Sequence, residues 1–227
     1  MGPDLGWDLG RWGTGDAGFY YTRDEDPRTD PNGVPIRVDR QRINLTHQAT
    51  LATNLNAKLV LREQSDAQMI RDFFENDYRK DPQPKSFLEL NRAWPNWTLD
   101  LLVQPQLNDF FQTVERLPDL KLSGIRQQLG VTPLFYESET SAGYFRFRPV
   151  DSVVTNAYAA LRADTFHQLL LPMTYFGWLN ITPRVGMRLT HYGESEGRDT
   201  VLDERDRSVF NTGAEVSFKL SRAWTGA

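Results

Sequence analysis

Three histidines, His47, His167 and His191, are the first residues to test for chemistry, and they lie too far apart in the chain to share a metal-ligand spacing. Each reads as a strand residue with a satisfied imidazole, and no metal site is expected. The acidic run Asp24-Glu25-Asp26, with Asp30 nearby, offers the hard oxygens that hold divalent cations, but as a loop segment it reads more simply as solvated. Glu137 and Glu139 share one strand face by their spacing of two, which invites comparison with a glycosidase carboxylate pair. Nothing else in the sequence joins them. There is no His-Glu-x-x-His, no Gly-x-Ser-x-Gly and no phosphate-cradling glycine loop. With zero cysteines there is neither a disulfide framework nor thiolate chemistry. The expectation is a protein with no catalytic residue and no cofactor.

What remains is a set of charged residues placed opposite apolar ones. From Ile181, every second residue is apolar or proline: Ile181, Pro183, Val185, Met187 and Leu189. The residues between are Thr182, Arg184, Gly186, Arg188 and Thr190. The same two-faced rhythm sets Leu55, Ala57, Leu59 and Leu61 against Asn56, Lys58, Val60 and Arg62. It sets Trp97, Leu99, Leu101 and Val103 against Thr98, Asp100 and Gln104, and Ala214, Val216, Phe218 and Leu220 against Glu215, Ser217 and Lys219. Ile43, Leu45, Ala49 and Leu51 alternate with Arg42, Asn44, Gln48 and Thr50, with His47 on the apolar side. A period of two is the mark of strands that are apolar on one side only.

On a soluble sandwich the polar side would meet solvent. On a barrel, Lys58, Arg62, Arg162, Asp164, Arg184, Arg188, Glu215 and Lys219 would line the interior, while Leu55, Leu59, Leu61, Leu99, Leu101, Val185, Met187, Val216 and Phe218 would face lipid. That many charges cannot be buried dry, so such an interior must hold water or pair them.

The chain has 227 residues and a formal charge of −4, enough for one large domain and no argument for nucleic acid. The first residues, Met1-Gly2-Pro3-Asp4, carry no basic and apolar leader pattern, and no apolar run suits a spanning helix. Mean hydropathy is −0.55; this does not argue against a membrane barrel, whose strands are half polar.

The pattern predicts about eleven strands, roughly 5–12, 16–25, 37–51, 54–63, 86–93, 97–105, 117–129, 134–148, 157–171, 178–192 and 208–224. Short turns near 13–15, 52–53, 95–96, 130–133 and 172–177 alternate with long polar loops at 26–36, 64–85, 106–116, 149–156 and 193–207. In an antiparallel meander all short turns fall at one end and all long loops at the other, the asymmetry of outer-membrane barrels. Trp12, Trp94, Trp97, Trp178 and Trp224, with Tyr175, sit near the short-turn end and read as an interfacial aromatic girdle. One loop reads as a short helix: Ser65 to Gln68 matches a capping box, Met69, Ile70, Phe73 and Phe74 form an apolar stripe, and Pro82 and Pro84 stop it. Its place is on the barrel rim or in the mouth.

Several segments, in this order, resemble one known family: Gly2-Pro3-Asp4-Leu5-Gly6; Phe19-Tyr20-Tyr21 with Asp24-Glu25-Asp26; Ser65-Asp66 with Arg71-Asp72-Phe73-Phe74; Val114-Glu115-Arg116-Leu117-Pro118; Leu134 to Ser138; and Ile181 to Gly186. The chain is similar over most of its length to the C-terminal barrel domain of the LPS-assembly outer-membrane proteins, the LptD family, formerly the organic-solvent-tolerance proteins (OstA). Asp72, Phe73 and Phe74, with Glu115, Arg116, Leu117 and Pro118, are its most specific markers.

The resemblance implies an outer-membrane protein of a Gram-negative-type bacterium that receives lipopolysaccharide from a periplasmic bridge protein. It implies delivery to the outer leaflet through a lateral opening, around a lipoprotein plug of the LptE kind. Family barrels have about twenty-six strands, near the upper end for such proteins. On that comparison residues 1–227 are expected to form a single partial transmembrane β-barrel domain, all-β, antiparallel and up-and-down, without the family's jelly roll and remaining strands. It also lacks the cysteines that join barrel to jelly roll in some relatives. A porin-like channel and a soluble β-sandwich carbohydrate-binding or hydrolase module are the alternatives.

Overall fold

The computed structural model describes residues 2–30, 33, 35–150, 157–197 and 201–219. In chain order the strands are β1 (Asp4–Asp8), β2 (Thr14–Arg23), β3 (Asp39–Ala52), β4 (Leu55–Gln64), β5 (Phe87–Ala93), β6 (Trp97–Gln104), β7 (Thr113–Gln128), β8 (Phe135–Arg148), β9 (Tyr158–Leu170), β10 (Met173–Tyr175), β11 (Leu179–Tyr192), β12 (Ser195–Gly197), β13 (Val201–Leu202) and β14 (Arg205–Phe218). Two short helices, α1 (Met69–Phe73) and α2 (Glu75–Lys80), lie between β4 and β5. All fourteen strands belong to one antiparallel sheet in sequential order, apart from the small β10, β12 and β13. Among the described residues β1 and β14 each pair along one side only, so the sheet is open, a partial barrel wall with no second sheet facing it.

The register carries the alternation from strand to strand, and along β7 it changes phase at two bulges, between Arg116 and Asp119 and between Gly124 and Gln127. Ala57, Leu90, Leu101, Leu120, Ala142 and Ala163 form one continuous cross-strand row. Lys58, Glu89, Leu102, Asp119, Gly143, Arg162, Tyr192 and Arg205 form the row beside it, on the opposite face. A bulge between Arg116 and Asp119 adds one residue to β7, re-aiming its upper end. It accommodates Pro118, which a regular central strand would not.

The two faces differ in cover. Leu59, Val185 and Val216 on the apolar face are 40, 40 and 59 % exposed, whereas Asp164, Gln168 and Thr190 on the polar face are buried. Among the described residues buried hydrophobics are few: Ala49, Val60, Met69, Ile70, Ala159 and Leu170. The apolar rows are not sealed against each other, and the polar face is the crowded one that the loops fold over.

Several elements differ from the sequence expectation. The first strand stops at Asp8, and a 3₁₀ turn at Gly10–Trp12 takes up the rest. Gly13 enables this: its φ is +100°, and a Cβ there would stand 2.1 Å from the Gln48 carbonyl oxygen. The seventh strand begins at Thr113, so the Glu115 to Pro118 motif lies in a strand rather than ending a loop. The 193–207 loop contains β12 and β13, and the last long strand is Arg205–Phe218.

The single expected helix is two pieces broken at Phe74, and no side chain caps the first. Ser65 is occupied elsewhere, its hydroxyl donating to Asp66 and accepting from the Gln41 amide. The break lets two consecutive phenylalanines reach one anchor, Phe73 and Phe74 standing 5.7 and 5.0 Å from the Tyr20 ring.

Candidate functional site

The polar face gathers the charged residues that alternation set aside. Lys58, Arg62, Arg162, Asp164, Arg184, Arg188 and Glu215 all lie on it by register, and Lys219 follows β14 directly. Three of them meet in a chain of alternating charge that crosses four strands. Lys121 Nζ is 2.7 Å from Glu139, which is 3.5 Å from Arg188; Arg188 is 3.3 Å from Asp164, and Asp164 is 3.4 Å from Arg162. Thr190 also donates to Asp164 at 2.6 Å. Buried Asp164 is thus satisfied by two guanidinium groups and a hydroxyl, as a charge in that position requires.

The other predicted residues stay apart from this chain. Arg62 lies along the sheet, donating to the Leu45 and Leu61 carbonyls and to Thr46. Lys58 sits 5.8 Å from the Phe87 ring. Arg184 and Glu215 stand opposite Gly213 and Thr182.

The loop carrying α1 and α2 folds onto this same face at the long-loop end. Arg40 is its anchor: 1 % exposed, it donates to both oxygens of Asp66 at 3.0 and 2.8 Å and to Asp72 at 2.8 Å, with Asp24 at 3.6 Å. Its guanidinium also lies 4.9 Å from the Phe73 ring centre. Arg42 repeats the device one step along, pairing with Asp77 at 2.8 Å and lying 4.3 Å from Phe74. The marker residues Asp72, Phe73 and Phe74 therefore hold a loop over the polar face. Arg40 and Arg42, their partners, were not singled out from sequence; their signal was two arginines at spacing two, entering a strand opposite an aspartate-rich loop.

Glu115 forms a second node, on the opposite face near the strand end. It is 2 % exposed, accepts from the Gln106 amide at 2.8 Å and from Arg146, and has Arg148 at 3.7 Å. Arg116 pairs with Asp119 at 3.0 Å across the bulge that Leu117 and Pro118 form. The Glu115→Gln variant keeps the shape but loses the charge. Both arginines are partly exposed and can be resolvated, so the expected loss is about 1–2 kcal/mol, below that of a fully buried pair. Limited proteolysis should show faster cleavage within residues 105–112, with cleavage elsewhere unchanged.

The apolar candidates, Leu55, Leu59, Leu61, Leu99, Leu101, Val185, Met187, Val216 and Phe218, share the other face. Polar groups on that face satisfy one another: Trp7 donates to His47 at 3.1 Å, and His167 bonds Tyr136 at 2.5 Å and Thr165 at 2.9 Å. His191 pairs with Asp206 at 2.8 Å. Trp12, Trp94, Trp97, Trp178 and Tyr175 all lie at or beside short turns, joined by Trp7, whose partner Gly15 adjoins the first turn. Trp224 falls outside the described residues.

Glu137 and Glu139 are each matched by cations, Arg126 for the former and Lys121 and Arg188 for the latter. Among the described residues no three metal-ligating side chains converge. The arrangement can bind, orient and hydrate polar groups along one face while presenting hydrocarbon on the other. A family model described as LptD, LPS transport system D, matches residues 38–226. No curated protein matches the chain.

Proposed function

Because the chain belongs to the LptD family of lipopolysaccharide-transport proteins, we propose that it is part of an outer-membrane wall along which lipopolysaccharide moves to the outer leaflet. The apolar face meets acyl chains, and the polar face bounds a hydrated lumen. Further strands complete hydrogen bonding at β1 and β14, since an open edge is not tolerated in hydrocarbon. A lateral opening between strands releases the lipid, with its charged head group kept on the wet side throughout. An outer-membrane lipoprotein plug within the lumen and a periplasmic bridge protein that hands over the substrate are the partners this reading requires.

The observation that carries the proposal is the pairing of a family match over residues 38–226 with a sheet whose apolar side is uncovered and whose charged side is crowded. Transport on this plan needs no covalent step, only a route on which neither head group nor acyl chain is exposed to the wrong solvent.

Site-specific photocrosslinking in living cells tests it. A photoreactive residue at Arg184, on the polar face, is expected to capture lipopolysaccharide during export, in an amount that falls when the supply of new lipopolysaccharide is stopped. Absence of any adduct at Arg184 and at Arg188, in cells that still export, would remove the route from this face. An open ion conductance unaffected by lipopolysaccharide would replace it with a simple pore.

A further inference from the structure

The polar face is interrupted at its long-loop end by an aromatic notch, which the charge network touches only through Arg162, paired with Asp164 at 3.4 Å. Phe145, Phe147, Tyr158 and Tyr192 surround Ala160, and the cavity they bound measures about 820 Å³. Register puts all five on the polar face: Phe145 opposite Ala160, Phe147 opposite Tyr158, and Tyr192 opposite Arg162. Phe147 and Tyr158 are stacked at 5.1 Å. Tyr158 is nevertheless 52 % exposed. Aromatic surface left open on a charged, water-facing wall is unfavourable unless something covers it, and such patches mark binding sites.

The rim supplies the second half of a site. Arg162, Asp203, Glu204 and Arg205 all border the notch. Arg162 lies 5.6 Å from the Tyr192 ring, and its Nε–H is buried with no hydrogen-bond partner among the described residues.

We infer that this notch binds a saccharide. A pyranose ring has apolar C–H faces that lie flat on aromatic rings and an equator of hydroxyls. Carboxylates accept from such hydroxyls, and guanidinium groups donate to them through planar, directional bonds. An acyl chain would use the rings but leave four charged side chains desolvated at its edge, which is costly. A free anion would use the arginines but not the aromatic floor. The small side chain of Ala160 gives the ring its depth. The inference rests on the proposed route: it assigns a holding point for the sugar part of the transported lipid as it leaves the lumen.

The test uses the purified protein in detergent micelles and two probes, intact lipopolysaccharide and the lipid-free oligosaccharide released from it by mild acid. The wild type is expected to bind the oligosaccharide, by saturation-transfer NMR and calorimetry. Tyr158→Ala should weaken binding about fivefold, the scale of one aromatic contact. Ala160→Trp, which fills the notch while leaving the other rings in place, should abolish it. Tyr144→Ala, on the opposite face, serves as the folding and specificity control and should bind as the wild type does. Failure of the oligosaccharide to bind, equal binding by the notch variants, or displacement of the oligosaccharide by lipid A would overturn the saccharide assignment. Failure of intact lipopolysaccharide to bind would instead strike the transport reading, so the two outcomes are separable.

Discussion

Replacing Arg40 with alanine is expected to release the helical loop from the polar face while leaving the sheet in place. Arg40 is the most buried cation described, and its partners sit on three segments: Asp24 after β2, Asp66 before α1 and Asp72 within it. Removing one partner of a buried ion pair costs about 3–5 kcal/mol, because the remaining charges stay desolvated. Here Asp72 is 40 % exposed and can regain water, whereas Asp66 is 14 % exposed and cannot. The lower end, about 3 kcal/mol, therefore applies, and it corresponds to an opening equilibrium shifted on the order of 100-fold.

Hydrogen exchange should show this as a matching loss of amide protection across residues 69–80, with β3 and β4 unchanged. Arg40→Lys should recover only part of the protection. An ammonium keeps the charge but cannot present a planar fork to Asp66 while also reaching Asp72. Unaltered protection in Arg40→Ala would show that the phenylalanine contacts alone hold the loop.

The second large effect concerns the two faces. Val185→Arg places a guanidinium midway along β11, in the apolar row shared with Leu169. If that row meets hydrocarbon, the cost is about 2–4 kcal/mol at the bilayer midplane. The matched variant is Ser123→Arg, on the polar face opposite Glu139, where an added cation has an acceptor beside it and water around it. Its effect should stay under about 0.5 kcal/mol.

Urea titration of the protein refolded into phospholipid vesicles reads both. The sidedness proposal stands on the difference between them rather than on either value. Two small and equal effects would mean that water bathes both faces, and the membrane reading would fail with them.

Some of this was legible residue by residue. The alternation around Arg184 and Arg188, around Lys58 and Arg62, and around Leu99 and Leu101 placed strands and faces correctly, because a strand's side chains alternate whatever its neighbours are. The asymmetry of short turns and long loops was equally visible. It follows from chain order in a meander and needs no three-dimensional information. The strand ends were less legible. Residues 10–12 look like a continuation of β1, but the chain reverses there because Gly13 lies against the Gln48 carbonyl. Thr113 to Arg116 reads as loop because its charges break the pattern, until Arg146 and Arg148 arrive from the next strand to neutralise Glu115.

What the sequence alone determined, then, is the two-sidedness of the wall, the order of its strands and its family, all of which depend on local period and on motifs in series. What only the tertiary structure decided is who meets whom across that wall. Arg40 with Asp66, Lys121 with Glu139, Arg188 with Asp164, and the four rings around Ala160 are separated by up to dozens of residues in the chain. They meet through register and loop return, which are set by the sum of many cross-strand contacts rather than by any one segment.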